Sequence, residues 1–234
     1  MNTRTPEQRE GAVDRAANEI SVRAGFRVVT AELLAGGPIE LEFLVESFGL
    51  FPLRLAVSGD RMRQRPGQFS FVATFDGLSL EDPMAAMSYM GGPAAVVQVS
   101  VGSPWRQPLV LNQFIRLEDT ARQLVQGATG RIDLACRRSL ALAFTDTAAL
   151  SDDGAQVLAV DLAFDLRRDD AALAELVTRL LDEVTQGPPA LRERPLALLL
   201  SMRSAAHTQI DALTRHPDPS VAGRAHQVVE HVFG

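Results

Sequence analysis

The sequence predicts an α+β fold, with a largely antiparallel sheet, flanking helices and a helical C-terminal subdomain. Hydrophobic and polar residues alternate through much of residues 26–117, as in strands with one buried face. Short spacers rich in Gly, Pro and Asp separate these runs, which favours antiparallel pairing over crossover connections. From residue 169 onward, hydrophobic residues recur every three or four positions instead, as in amphipathic helices.

The first predicted elements are a helix and a meandering sheet. Thr5 is a suitable N-cap for the helix, Pro6 suits its first position, and Gly25 is its predicted stop. Four strands are then predicted, with these inward-facing residues: Ile39, Leu41, Phe43 and Val45; Leu53, Leu55 and Val57; Phe69, Phe71, Ala73 and Phe75; Val97, Val99 and Val101.

The residue pattern in the middle of the chain predicts a short helix, a hairpin and a long helix. The short helix covers residues 117–126. The hairpin strands cover 140–144 and 158–166, and Asp153-Gly154 supplies the positive φ of a tight turn. Asp169 or Asp170 caps the long helix, whose predicted buried stripe is Leu173, Leu176, Val177, Leu180, Leu181 and Val184.

Gly187-Pro188-Pro189 ends the long helix and marks the predicted domain boundary. We expect an α+β core domain over residues 1–187 and a C-terminal helical pair over 188–234, packed on or beside it. The pair is predicted as helices 195–213 and 219–232, with Asp218 capping the second. This order of helices and strands resembles that of the small chaperones of secretion systems, which implies a chaperone-like interaction protein.

Composition excludes several classes of function. The chain has no lysine, since all 23 basic side chains are arginine, and this excludes Schiff-base and phosphate-loop lysines. A net charge of −6 argues against broad nucleic-acid binding. No hydrophobic run approaches the roughly 20 residues that span a bilayer. A single cysteine and a polar N-terminus without a signal core predict a cytoplasmic protein.

The absence of lysine has two interpretations. A GC-rich bacterial genome favours codons for Arg, Ala, Leu, Gly and Val, and the chain is rich in these residues. Alternatively, selection has removed modifiable amines from a protein that works beside a lysine-conjugating or lysine-acetylating system. The sequence leaves both open.

Two surface segments are candidates for binding. Arg61, Arg63 and Arg65 alternate in a predicted loop, where guanidinium groups either grip phosphate or carboxylate or are simply solvated. A second set lies at helical spacing and either offers an adaptable face to a partner or fills a gap in the core: Met84, Met87 and Met90.

The C-terminal helices carry a candidate metal site. His207 and Asp211 are spaced i, i+4 on one predicted helix, and His226 and Glu230 repeat that spacing on the next. Antiparallel pairing of the helices would let the four side chains converge on a metal ion; otherwise they line the solvent face. Cys136 is interpreted as a small buried hydrophobic residue, because Leu134 shares its face of a strand.

These observations predict a non-enzymatic bacterial interaction, adaptor or assembly protein with no cofactor and no catalytic residue. We expect a protein partner, or self-association, at sheet edges or the C-terminal helices. Two alternatives remain open. One is a metal-dependent hydrolase that uses the His and carboxylate residues of the C-terminal helices. The other is a small-anion sensor that uses the arginines of the predicted loop.

Overall fold

The computed structural model describes residues 22–48, 52–57, 68–83, 85, 95–140, 142–143 and 156–233. Over these residues the protein consists of antiparallel sheets and α-helices, so the predicted α+β class is confirmed. The chain divides into two compact units that interleave along the sequence. Unit 1 is formed by the described residues within 1–29, 40–109 and 132–164, and unit 2 by those within 30–39, 110–131 and 165–234.

The secondary-structure elements are numbered in chain order over the described residues. The strands are β1 Val22–Val28, β2 Glu40–Ser47, β3 Leu53–Val57, β4 Phe69–Phe75, β5 Leu78–Leu80, β6 Ala95–Val99, β7 Trp105–Val110, β8 Thr129–Leu140, β9 Leu142–Ala143 and β10 Gln156–Arg167. The α-helices are α1 Thr120–Gln123, α2 Asp170–Gln186, α3 Glu193–Ser201, α4 His207–Leu213 and α5 Pro219–Phe233.

The strands form three small sheets, in the orders β1-β2-β7, β10-β8-β4-β5 and β6-β3-β9. The predicted inward faces of β2 and β4 are confirmed, because every hydrophobic residue predicted on them is buried. In the last predicted strand, Val99 is buried whereas Val101 lies beyond β6 and is exposed. The predicted meander was wrong, since β2 pairs with β7, β3 with β9 and β4 with β8. Alternation determines which face of a strand is buried, but it does not select the neighbouring strand.

A tight hairpin joins β4 to β5, and the sequence analysis did not predict it. Asp76 and Gly77 form the turn with φ values of 48° and 83°, and Phe75 pairs with Leu78 across it. Positive φ at both central residues is the geometry of a type I′ turn, which Asp-Gly favours. The signal was therefore present in the sequence.

The hairpin predicted around Asp153-Gly154 is partly confirmed. β10 contains its second arm and is the neighbour of β8, while the turn residues lie outside the described residues. The prediction of the first arm over residues 140–144 was wrong. β8 begins at Thr129 and ends at Leu140, whereas Leu142–Ala143 pairs with β3. A run of alternating apolar residues fits either sheet, so the pattern alone did not locate the break.

The predicted N-cap and buried stripe of α2 are confirmed. Asp169 Oδ1 accepts a hydrogen bond of 3.0 Å from the backbone N–H of Ala172. Three residues of the stripe are buried and three pack against the same cluster: Val177, Leu180 and Val184, then Leu173, Leu176 and Leu181. This cluster also contains buried aliphatic residues of α3, α4 and α5. The structure thus places α2 in one core with the helices that follow it. Among the described residues, no helix is long and apolar enough to cross a membrane.

The helix predicted over residues 195–213 is interrupted, which corrects the prediction. α3 ends at Ser201, α4 begins at His207, and Arg203 between them has a φ of 47°. A non-glycine residue in this left-handed region cannot continue a right-handed helix. Arg203 is buried, and its NH1 lies 3.6 Å from Oε1 of the buried Glu118. The break therefore accompanies a buried ion pair that helical periodicity does not reveal.

Two other helix predictions were wrong in extent. Only the single turn α1 forms within the predicted 117–126 helix, because tertiary hydrogen bonds replace helical ones beyond it. The Leu124 carbonyl accepts from Arg168 NH1 at 2.5 Å, and the Gly127 N–H donates to the Arg168 carbonyl at 2.9 Å. At the N-terminus, β1 includes Gly25, so that residue is not a helix stop. The rest of the predicted first helix lies outside the described residues.

The predicted cap of the last helix is confirmed. Asp218 Oδ1 accepts a hydrogen bond of 2.9 Å from the backbone N–H of Ser220 at the start of α5. The side-chain and backbone hydrogen bonds from Ser220 hold the pKa of the Asp218 carboxyl below its usual range.

Candidate functional site

Two predicted binding groups lie outside the described residues. One is the arginine set Arg61, Arg63 and Arg65, and the other is the methionine set Met84, Met87 and Met90. Both stay predictions.

The four residues of the predicted metal site lie at exposed positions of α4 and α5. They are His207, Asp211, His226 and Glu230. Within the part of the chain that the structure describes, no three His, Cys, Asp or Glu side chains gather as a group that could hold a metal. The structure therefore does not bring these four residues together in such a group, and the metal-dependent hydrolase stays a prediction.

Cys136 is fully buried on β8, on the same face as Leu134, as its position in the strand predicted. Burial, with a smaller contribution from the charge of Asp161, raises the pKa of the thiol far above its usual value. The thiolate is the nucleophilic form of cysteine, so this side chain is not activated for nucleophilic chemistry.

Among the described residues, Arg138 is the largest side chain that is fully buried, and it lies in the core of unit 1. It is opposite Phe69 in the register of β4 and β8. Its guanidinium carbon is 4.7 Å from the ring centroid of Phe69 and 5.6 Å from that of Phe43. NH1 donates to the Ser139 carbonyl at 2.8 Å, and NH2 to the Ala56 carbonyl at 3.1 Å. One cation therefore contacts β2, β3, β4 and β8, which belong to all three sheets.

Within the described residues, carbonyl oxygens and aromatic rings surround the charge of Arg138. Among the described residues no acidic side chain forms an ion pair with it, and its Nε has no hydrogen-bond partner. Burial lowers the pKa of Arg138 to about 10. Ring faces and carbonyl oxygens therefore stabilise the cation. The sequence analysis missed this role, although alternation places Arg138 on the same strand face as Leu134 and Cys136.

The outer strand of the four-stranded sheet is β10, which is twelve residues long. Its buried side chains alternate with exposed or half-buried ones without interruption. The buried set is Leu158, Val160, Leu162, Phe164 and Leu166, and the outward set is Val157, Ala159, Asp161, Ala163, Asp165 and Arg167. Unbroken alternation indicates a strand without a bulge.

Hydrogen bonds at the end of β10 show which backbone groups point away from β8. The N–H and C=O of Arg168 pair with Ala128 and Gly127, just before β8 begins. The N–H of Arg167 donates to the Leu33 carbonyl, and the Arg167 carbonyl accepts from Ala35. Neighbouring residues of a strand direct their backbone groups to opposite sides. The backbone groups of the outward set therefore point to the side away from β8.

Over most of its length, that side of β10 pairs with nothing in the described part of the chain. Within the described residues, β8 is the only strand that pairs with β10, and a single bridge between Leu34 and Arg167 occupies the other side. Two carboxylates, Asp161 and Asp165, project from the strand, and neither forms an ion pair within the described chain. Val157 exposes 63% of its surface. We name residues 157–165 of β10, whose outward backbone groups pair with no described strand, the β10 edge.

Comparisons with known proteins identify no family. No family model matches the chain, and no curated protein matches it. Among solved structures, the sporulation control protein Spo0M from Bacillus subtilis is 8% identical with a TM-score of 0.26 over 70% of this chain. The match covers 56% of the Spo0M chain, so this chain spans little more than half of that length.

A second structure is described by the words "AvmM Catalyzes Macrocyclization in Alchivemycin A Biosynthesis". It is 14% identical with a TM-score of 0.18, over 68% of this chain and 96% of that chain. At such TM-scores, neither similarity bears on the fold or the function of this protein.

Proposed function

We propose that this chain is a non-enzymatic, cytoplasmic interaction, adaptor or assembly protein that binds another protein. The observation that supports the proposal is the β10 edge, a long row of outward N–H and C=O groups with which no described strand pairs. Strands in globular proteins usually have about five or six residues, and edges are commonly short or covered. A partner that covers the β10 edge accounts for its length.

The reactive-looking side chains of unit 1 support the same proposal. Cys136 is a buried thiol whose pKa is raised, and Arg138 is a buried cation held by carbonyls and rings. Both side chains are parts of the packed core. In β10, by contrast, outward backbone groups and exposed carboxylates lie on the surface of the sheet.

Site-specific photo-crosslinking in the native host tests this proposal. A benzoylphenylalanine at Val157 lies on the β10 edge, and one at Leu191 is a matched control, since the two residues are 63% and 69% exposed. We expect one protein to crosslink from position 157 but not from 191, and to form a complex when both proteins are purified.

Comparing the two crosslinking positions shows whether the protein has a partner and whether that partner contacts the β10 edge. Crosslinking to one protein from Leu191 alone would support an interaction protein and reject the β10 edge as the contact. Absence of any crosslink from either position, with a monomeric protein in solution, would overturn the proposed function.

A further inference from the structure

We propose that the β10 edge binds its partner by strand addition, and that the partner is an extended basic segment with Arg or Lys at two positions four residues apart. This inference rests on the proposed function and names the chemistry of the partner. Three features carry it: the direction of the outward backbone groups, the character of the two faces of β10, and two carboxylates that form no ion pair within the described residues.

The backbone groups determine where an added strand fits. Leu33–Ala35 already occupies the side of β10 at Arg167, so the open stretch ends at Asp165. From Val157 to Asp165 the edge spans about 26 Å at roughly 3.3 Å per residue. Main-chain hydrogen bonds along this edge would supply affinity, as in other complexes in which a peptide extends a sheet.

The two faces of β10 determine the side chains of the added strand. On one face its residues would continue the buried row that contains Leu158, Val160 and Leu162, so apolar side chains are favoured there. On the other face they would lie beside Ala159, Asp161 and Ala163, where the small alanines leave room for long side chains. The partner therefore alternates apolar residues with long polar ones.

The charges select a basic partner. Asp161 and Asp165 lie on the same strand face, about 13 Å apart at roughly 3.3 Å per residue. Opposite charges on paired strands stabilise a sheet and like charges destabilise it. The whole chain also carries a net charge of −6, which attracts a basic segment over a longer range.

The same charges disfavour a second copy of this chain as the added strand. In a symmetric antiparallel pair of β10 strands centred on Asp161, the two Asp161 carboxylates would lie directly opposite each other. Centred on Leu162, the same pair would bring them to diagonal positions. Both registers, which overlap nearly the whole strand, therefore place like charges on neighbouring positions.

Peptide binding to the full-length protein tests the inference. The probe is a fluorescent peptide, Thr-Val-Arg-Val-Thr-Val-Arg-Val-Thr, in which the arginines are four residues apart and the valines share the other face. We expect saturable binding by fluorescence anisotropy. A matched peptide with glutamate at both arginine positions should bind at least about tenfold more weakly, the effect of two surface ion pairs.

Charge removal from the protein completes the test. The double variant Asp161→Asn/Asp165→Asn should weaken binding of the arginine peptide about tenfold. It should leave binding of a peptide with glutamine at those positions unchanged. Glu175→Gln/Asp182→Asn removes the same charge from exposed positions of α2 and should have no effect. Circular dichroism and the melting temperature establish that each variant is folded.

Each contrary result has a distinct meaning. If no peptide binds while Val157 still crosslinks a partner, strand addition is wrong and the interaction stands. If the Asn double variant aggregates and binds the arginine peptide unchanged, the two aspartates only guard the edge against self-pairing, and the basic partner is wrong. If no partner crosslinks from either position, the proposed function itself fails.

Discussion

Arg138 illustrates how a charged side chain becomes part of a core at the scale of one residue. Removing a cation from water costs several kcal/mol, and a paired carboxylate usually offsets that cost. Among the described residues, two carbonyl oxygens and two phenylalanine faces offset it for Arg138. A cation–π contact that is shielded from water contributes about 2 kcal/mol. The side chain therefore connects three sheets at one point.

Two substitutions of Arg138 distinguish the contribution of its volume to stability from that of its charge. Arg138→Ala leaves a cavity and should lower the free energy of unfolding by about 3–5 kcal/mol. Arg138→Met retains most of the volume, so its cost should be limited to about 1–3 kcal/mol for the two carbonyls left without a donor. Arg137→Met, at the exposed neighbouring position, should change the free energy of unfolding by less than about 0.5 kcal/mol. Urea unfolding measures all three, and equal stability of Arg138→Ala and Arg137→Met would contradict the account.

The burial of Cys136 was predictable from the sequence, whereas that of Arg138 was not. Alternation placed Cys136 on the face of β8 that carries Leu134, and the structure confirms it. The same alternation applies to Arg138, but a cation is buried only where other segments supply partners. Those partners come from Phe43, Ala56 and Phe69, and strand periodicity carries no information about which distant segments meet.

Elements were predictable where the local sequence determines them. α2 has regular apolar spacing and a capping aspartate at its start, so sequence and structure agree there. The ends of other helices are determined by long-range contacts. After α1, the Arg168 side chain donates a hydrogen bond to the Leu124 carbonyl. After α3, Arg203 has a positive φ and lies beside Glu118. Such hydrogen bonds and ion pairs override helical propensity, and the local sequence does not show them.

Proline substitutions at adjacent residues of β10 test the direction of its backbone groups. Proline removes an N–H donor and is tolerated in strands mainly where that N–H faces solvent at an edge. Ala159→Pro removes an outward N–H and should cost about 1 kcal/mol or less. Val160→Pro removes a bond to β8 and a buried side chain, so it should cost about 3 kcal/mol or more.

Thermal unfolding followed by circular dichroism compares the two proline variants. Equal destabilisation by both would show that the two sides of β10 are equally occupied, contrary to the open edge.

The whole molecule is assembled from segments that are distant in sequence. Asn112 is an example from unit 2, where its side-chain oxygen accepts from the Ile39 N–H at 2.8 Å and its amide donates to the Gly37 carbonyl at 3.0 Å. Patterns along the chain predict strands and helices but not these connections. For the same reason, the sequence predicted sheet edges as contact surfaces without showing which edge is open.

The measurement that tests the open β10 edge most directly is amide hydrogen exchange along β10, resolved by residue with NMR. The account predicts fast exchange at Val157, Ala159, Asp161 and Ala163, and slow exchange at the intervening residues Leu158, Val160 and Leu162, which bond to β8. Arg167 is an internal control, because its N–H donates to the Leu33 carbonyl and should exchange slowly. If the outward amides are protected as strongly as the inward ones in the isolated protein, the edge is already covered and the proposed interface is wrong.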